Sequence, residues 1–240
     1  LQVKYNIETY TNKGPRKDNQ DRLITEVTEL GYIVAAIADG VGGNKSGDVA
    51  AELAVNKFLN LIHTSKNRRV RNIVLQVHHE VVKTGQENHQ HKGMLTTLSG
   101  CVLGPNKIWF GHVGDSRIYI INRKQIRRLS NDHTEVNKLL QDGKITEEDI
   151  ELYPRKNVIT DALGMEKIPE IQSGSVSLEK GDCILLTTDG IHGVLSDNEI
   201  HKQFLKSKTL IEFKQNLMSS LRFKIITDNN SFVCLNIQDI

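Results

Sequence analysis

The chain has 240 residues, 38% of them apolar and 25% charged, with a formal net charge of +2. That length can bury a substantial core, and the composition is that of a folded globular protein rather than a disordered one. The near-neutral balance gives no electrostatic ground for a nucleic-acid or membrane partner, and no apolar run approaches the roughly 20 residues that span a bilayer.

Strand-like runs come first, at 3–9, 23–28 and 31–38, the last almost wholly apolar and so expected to be buried on both faces. A helix is predicted from Ser46, with Val49, Ala50, Leu53, Ala54, Phe58, Leu61 and Ile62 on one stripe. A second helix over 69–85 repeats that spacing with Ile73, Val74, Val77, Val81 and Val82. Strand periodicity returns at 96–103, 107–113, 117–121 and 126–129, across turns too short for anything but antiparallel pairing. Residues 132–168 are polar and helix-prone, and read as a surface excursion. Strands follow at 171–176 and 183–188. Ser196 with Glu199 makes a capping box for the next helix. A last helix over 210–221 and a strand over 231–237 complete the pattern. No internal repeat or linker divides it, so one domain over 1–240 is expected. This order is not the strict alternation of a doubly wound sheet. It predicts an α+β sandwich: two stacked antiparallel β-sheets flanked by helix pairs.

The three cysteines, Cys101, Cys183 and Cys234, lie far apart within apolar runs. There they read as small hydrophobes, not as a disulfide framework or zinc site, and a cytoplasmic location is expected. His78, His79, His89 and His91 read as solvated residues on a polar helix face and its trailing loop. His112 and His133 read as groups that orient their neighbours. The basic clusters at 66–71 and 123–128 read as a helix face and a hairpin rim.

Two apolar strands run straight into Asp-Gly, at Asp39-Gly40 and Asp189-Gly190. Either one alone is a common turn signal. Both together, with Asp21, Asp115 and Asp228 in similar polar punctuation, also describe a cation site. Carboxylates brought together repel one another. An all-oxygen set without histidine or cysteine suits Mg²⁺ or Mn²⁺, and two such ions can acidify a water for attack on an electrophile. Arg16, with its planar fork, suits two oxygens of a phosphoryl group. Gly40 to Ser46 superficially suggests a nucleotide-binding loop, but Asn44 interrupts the Gly-Lys-Ser succession which that loop requires.

Arg16-Lys17-Asp18-Asn19-Gln20-Asp21 resembles the opening motif of the metal-dependent protein Ser/Thr phosphatases of type 2C. Asp39-Gly40-Val41-Gly42-Gly43 with Ser46-Gly47, Thr96-Thr97, Gly114-Asp115-Ser116-Arg117 and Asp132-His133-Thr134 follow in that family's order. So do Ile159-Thr160 with Ala162-Leu163-Gly164, Asp189-Gly190 with Leu195-Ser196-Asp197, and Asp228-Asn229 with Ser231. The resemblance implies a bacterial-type phosphatase acting on phosphoserine and phosphothreonine through a binuclear Mn²⁺ or Mg²⁺ centre. It makes Asp39 the bridging ligand, Gly40 a carbonyl ligand, Asp189 and Asp228 ligands of the other ion, and Asp21 a ligand through water. Asp115 would serve a third ion, and Arg16 would grip the phosphate. A flap would span about 131–155, with Asp132 and Asp142 on its surface.

The same resemblance implies phosphoprotein substrates, an opposing Ser/Thr kinase and a monomeric enzyme. Val41 stands where some members carry a histidine general acid. Asp161 and His192 also depart from the usual residues. Two alternatives are an inactive regulatory module of the same fold and a hydrolase of small phosphate esters.

Overall fold

A computed structural model describes residues 4–41, 46–64, 69–150 and 152–239. Among them, ten strands form two antiparallel five-stranded sheets. One sheet holds, in spatial order, β1 (Lys4–Asn12), β10 (Asn230–Asp239), β9 (Cys183–Thr187), β6 (Arg117–Ile121) and β7 (Ile126–Arg128). The other holds β2 (Asp21–Val27), β3 (Ile33–Asp39), β4 (Leu98–Leu103), β5 (Lys107–Val113) and β8 (Gln172–Ser177). The hairpin turns are closed as their sequences require. Gly104 N–H bonds the Lys107 carbonyl at 2.8 Å, and the Asn122 side chain accepts from the Lys124 and Gln125 amides.

The two-residue period of the strands divides their side chains between layers. On β3, Ile33, Ala35 and Ile37 face the opposite sheet, packing with Ile118, Ile120, Ile184, Leu186, Val233 and Leu235. The alternate residues Val34, Ala36 and Ala38 meet α1 (Gly47–Thr64) and α2 (Val70–Glu87). On the far side, Tyr119, Leu185, Phe232 and Cys234 pack against α5 (Asp197–Lys206) and α6 (Leu210–Leu221). The order is therefore helices, sheet, sheet, helices, as the α+β sandwich reading expects. All three cysteines are free and buried, and burial pushes the Cys101 and Cys183 thiols up to about 12.

Several local expectations shift. On α1 the buried stripe runs through Ala50, Ala51, Ala54, Val55, Phe58 and Ile62, whereas Val49 and Leu53 are only partly buried. On α2, His78 is buried rather than solvated, its Nδ1 taking the Gly164 N–H at 3.4 Å, and Val82 is only half-buried. His91 is held by Ser46 Oγ at 2.8 Å. The excursion over 132–168 contains α3 (Glu135–Gln141) and a short turn of helix at Glu147–Asp149, with the rest irregular. Residues 65–68, part of one basic cluster, and residues 42–45, part of the nucleotide-loop reading, lie outside the described residues.

Two glycines draw the strand ends together. A Cβ on Gly40 would overlap the main chain of Gly47, where α1 begins. A Cβ on Gly190, in the short helix α4 (Asp189–His192), would overlap the Asn229 carbonyl at the start of β10. Asp189 and Asp228 are neighbours because Gly190 has no side chain.

Phe58 is fully buried on a sheet surface opened by Gly100, where a Cβ would collide with its ring. Phe58→Ala is expected to cost about 3–5 kcal/mol, read as a lower urea midpoint at unchanged m-value. Gly190→Ala is expected to cost about 1–3 kcal/mol by overpacking. A wild-type midpoint for Gly190→Ala would show that the Asn229 main chain yields without penalty.

Candidate active site

Asp21 opens β2 and Asp39 closes β3, and the two are direct partners in the antiparallel register. Like charges opposed in this way destabilise a strand pair. Asp189 begins α4 after β9, Asp228 immediately precedes β10, and Asp115 sits in the turn between β5 and β6. Asp39, Gly40, Asp115, Asp189, Asp228 and Arg16 all line one cavity of about 690 Å³. Asp21 stands behind this cavity, buried, with its Oδ2 accepting the Thr188 hydroxyl at 2.9 Å.

The electrostatic cost of this convergence is visible in every member that shifts. Burial raises Asp21 to about 7 against the polar hydroxyls of Ser231 and Thr188 beside it, with the charges of Asp189 and Asp228 adding to the rise. Burial and the Asp228 charge raise Asp189 to about 6, against hydrogen bonds with the Gly190 amide and the Asp39 carboxyl. Asp39 and Asp115 are held well above the carboxylate range, first by burial and then by the surrounding aspartates. Oδ1 of Asp21 and Oδ1 of Asp189 are buried without a hydrogen-bond partner. Buried polar atoms are rarely left this way.

Orphaned carboxylate oxygens, mutual repulsion and an all-oxygen donor set fit hard divalent cations. Among the described residues, no three acidic, histidine or cysteine side chains are already gathered as a finished metal shell. Asp228 is instead engaged by Arg16, which also bonds the Thr227 carbonyl through Nε at 3.1 Å. No histidine or cysteine lines the cavity among the described residues.

A second set of side chains holds this one in place. Asp39 is gripped through its backbone: Thr97 Oγ1 accepts its N–H at 2.9 Å, and its carbonyl takes the Thr96 hydroxyl at 2.8 Å. Asn229 accepts the Gln20 N–H at 2.8 Å and donates to the Lys13 and Asp18 carbonyls at 2.8 and 3.0 Å, tying the Arg16 loop to β10. His133 Nδ1 accepts the Gly114 N–H at 3.1 Å next to Asp115, and His112 Nδ1 contacts Ser99 Oγ at 2.8 Å. Both histidines thus orient neighbours, as their sequence positions suggest. The anchoring by Asn229 is not legible from sequence, where only its place beside Asp228 stands out.

Asp132 is not on a flap surface. It is largely buried and takes bonds from Arg117 Nε at 3.0 Å and Nη2 at 2.6 Å. Burial alone would raise its carboxyl, but the guanidinium holds it below the usual range. Asp142 is exposed as expected. Asp161 does not line the cavity and pairs with Lys167 at 3.0 Å. His192 is half-buried, with its Nδ1 2.8 Å from Thr187 Oγ1, and desolvation and Arg117 depress its basicity.

The family model for protein phosphatase 2C matches residues 15–223. The phosphatase PhpP of Streptococcus pneumoniae is 31% identical over 224 residues, covering 88% of this chain and 91% of that protein. The Ser/Thr phosphatase Stp of Listeria monocytogenes is 31% identical over 234 residues, covering 94% and 90%. The crystal structure of the Ser/Thr phosphatase Stp1 from Staphylococcus aureus superimposes with a TM-score of 0.92 at 27% identity, covering 99% of this chain and 97% of that one. With its fold, its acidic cavity and these matches in agreement, the chain belongs to the protein phosphatase 2C family.

Proposed function

We propose that the chain is a metal-dependent phosphatase that hydrolyses phosphoserine and phosphothreonine in proteins. The observation that carries this reading is the convergent aspartate cluster, with unpartnered oxygens on Asp21 and Asp189, beside Arg16 at one cavity. In this proposal Asp39 and the Gly40 carbonyl, with Asp189 and Asp228, hold two Mn²⁺ or Mg²⁺ ions. Asp21 contributes through water, and Asp115 serves a third ion. When bound, such ions polarise phosphoryl oxygens and lower the pKa of water.

The chain's own residues supply the rest. Arg16 turns its fork from Asp228 and the Thr227 carbonyl onto two phosphoryl oxygens, where a guanidinium both orients the ester and offsets charge developing at phosphorus. Thr96, Thr97 and Asn229 keep Asp39 and the Arg16 loop from moving as charge builds. Val41 has no titratable group, so the leaving serine or threonine oxygen takes its proton from water rather than from a side chain at that position. With no cysteine or histidine lining the cavity among the described residues, direct attack by water is favoured over a thiophosphate or phosphohistidine route.

An opposing Ser/Thr kinase, a cytoplasmic setting and a monomeric working form belong to the same proposal. Three buried free thiols and a site assembled within one chain support the last two. Among the described residues no helix is long and apolar enough to cross a membrane.

Asp39→Asn and Asp189→Asn are each expected to lower turnover of a phosphothreonine peptide in Mn²⁺ by at least about 10²–10³-fold, with unchanged circular dichroism. Full activity in both would contradict the assignment.

The aspartates also predict a pH dependence. In the folded chain Asp21 and Asp189 hold protons up to about 7 and 6, whereas ordinary carboxyls lose theirs near 3.8. The folded state therefore binds more protons than the unfolded one between these values, and stability falls as pH rises through that window. In chelator, Tm is expected to drop between about pH 4 and 7, and the Tm gain on adding Mn²⁺ should grow over the same interval. A Mn²⁺ gain that shrinks as pH rises would contradict the cluster's role as a cation site.

A further inference from the structure

We infer that the catalytic cleft selects phosphopeptides with an apolar side chain one or two residues from the phosphorylated position. This rests on reading the cleft as the phosphatase site.

The cleft is larger than its chemistry demands. Its volume of about 690 Å³ is several times what a phosphoryl group and a few waters at about 30 Å³ each would fill. Its lining is also of two kinds. Beside the aspartates and the polar residues Arg16, Lys17, Gln20, Asn157 and Asn229, an apolar wall is made by Val41, Leu95, Val158, Ile159 and Met165, backed by the fully buried Ala162. Val158 is 37% exposed at this wall. Scattered exposed apolar residues are ordinary, but five partly exposed ones lining the same acidic cavity offer an apolar binding face.

The wall is built rather than loose. Val41 N–H bonds the Leu95 carbonyl at 3.0 Å, and Thr96 exchanges main-chain bonds with Leu163 at 3.2 and 2.9 Å while bridging Gly40 on its other side. The Val158 carbonyl takes the Glu135 N–H at 2.8 Å, and Thr160 N–H bonds the His133 carbonyl at 2.8 Å. Gly164, at φ +95° with its Cβ space filled by the Met94 carbonyl, turns the chain just before Met165. Three separate segments are thus stitched into one pre-organised surface, which loses little entropy on binding.

Geometry limits what can reach it. Successive Cα atoms of a bound peptide lie about 3.8 Å apart, and side chains alternate in an extended strand. With the phosphorylated side chain directed to the aspartates, only near neighbours can lie on an apolar wall that shares the same cavity. An apolar neighbour gains by leaving water there, whereas a charged one is desolvated against five hydrocarbon side chains that offer it no partner.

The test compares kcat/KM, in Mn²⁺, for phosphothreonine peptides in which each position from two before to two after the phosphoresidue is in turn Leu, Gln, Lys or Glu. At one or more of these positions Leu is expected to exceed Gln, Lys and Glu by about tenfold or more, the order a hydrophobic pocket delivers. In a Val158→Ser/Met165→Ser double variant the Leu preference should fall toward unity. In Val158→Lys, a change at an exposed position, Glu should overtake Leu. Turnover of all peptides at equal kcat/KM would overturn the wall's role while leaving the phosphatase reading intact. A Leu preference that survives in both variants would also overturn it. Hydrolysis of no peptide by the wild-type protein would overturn both readings.

Discussion

Repulsion among buried carboxylates is the constraint around which the rest of this molecule is arranged. Asp21 and Asp39 are paired across two strands, and Asp189 adds its charge to both. A sandwich built for stability alone would not place them so, because each is pushed upward by burial and by the others. Such a cluster persists where the surrounding fold over-determines it and where a cation offsets the charge. The hydrophobic layers on both sides of the sheets supply the first condition.

The fold meets the constraint with backbone contacts more than with side chains. Gly40 lies against Gly47, and Gly190 lies against Asn229. Thr96 and Thr97 hold Asp39 by its own amide and carbonyl, and Thr188 bonds the Asp21 carboxylate while accepting the Ser231 amide at 3.0 Å. Carboxylates fixed this way cannot swing apart to relieve repulsion. Binding energy from a divalent ion is then spent on ligation rather than on ordering the ligands. Arg16 belongs to the same economy of charge, since its guanidinium lies on Asp228.

Much of this was legible in the sequence, for identifiable reasons. Burial of β3, β6, β9 and β10 on both faces is written in apolar runs such as Ile33–Ile37 and Ile184–Leu186, and a strand's period assigns alternate side chains to opposite layers. The acidic residues were legible because each follows or precedes an apolar run, at the only places where a carboxylate can meet solvent and a sheet end at once. What escaped is long-range. The Arg117–Asp132 pair joins a strand to a segment that looks like polar surface. The burial of His78 depends on which side α2 turns to Gly164, which a repeat of valines does not specify. Gly190 reads as a turn residue from its neighbours, and its packing against Asn229 exists only once β10 has returned beside β9.

The central claim is that this cluster is a divalent-cation site serving phosphoester hydrolysis, and crystals grown with Mn²⁺ address it most directly. Anomalous difference maps recorded at the manganese edge are predicted to show at least two peaks in the cavity, within ligating distance of Asp39, the Gly40 carbonyl, Asp189 and Asp228. Maps with no peak among these residues, or with manganese bound only elsewhere on the surface, would contradict the account.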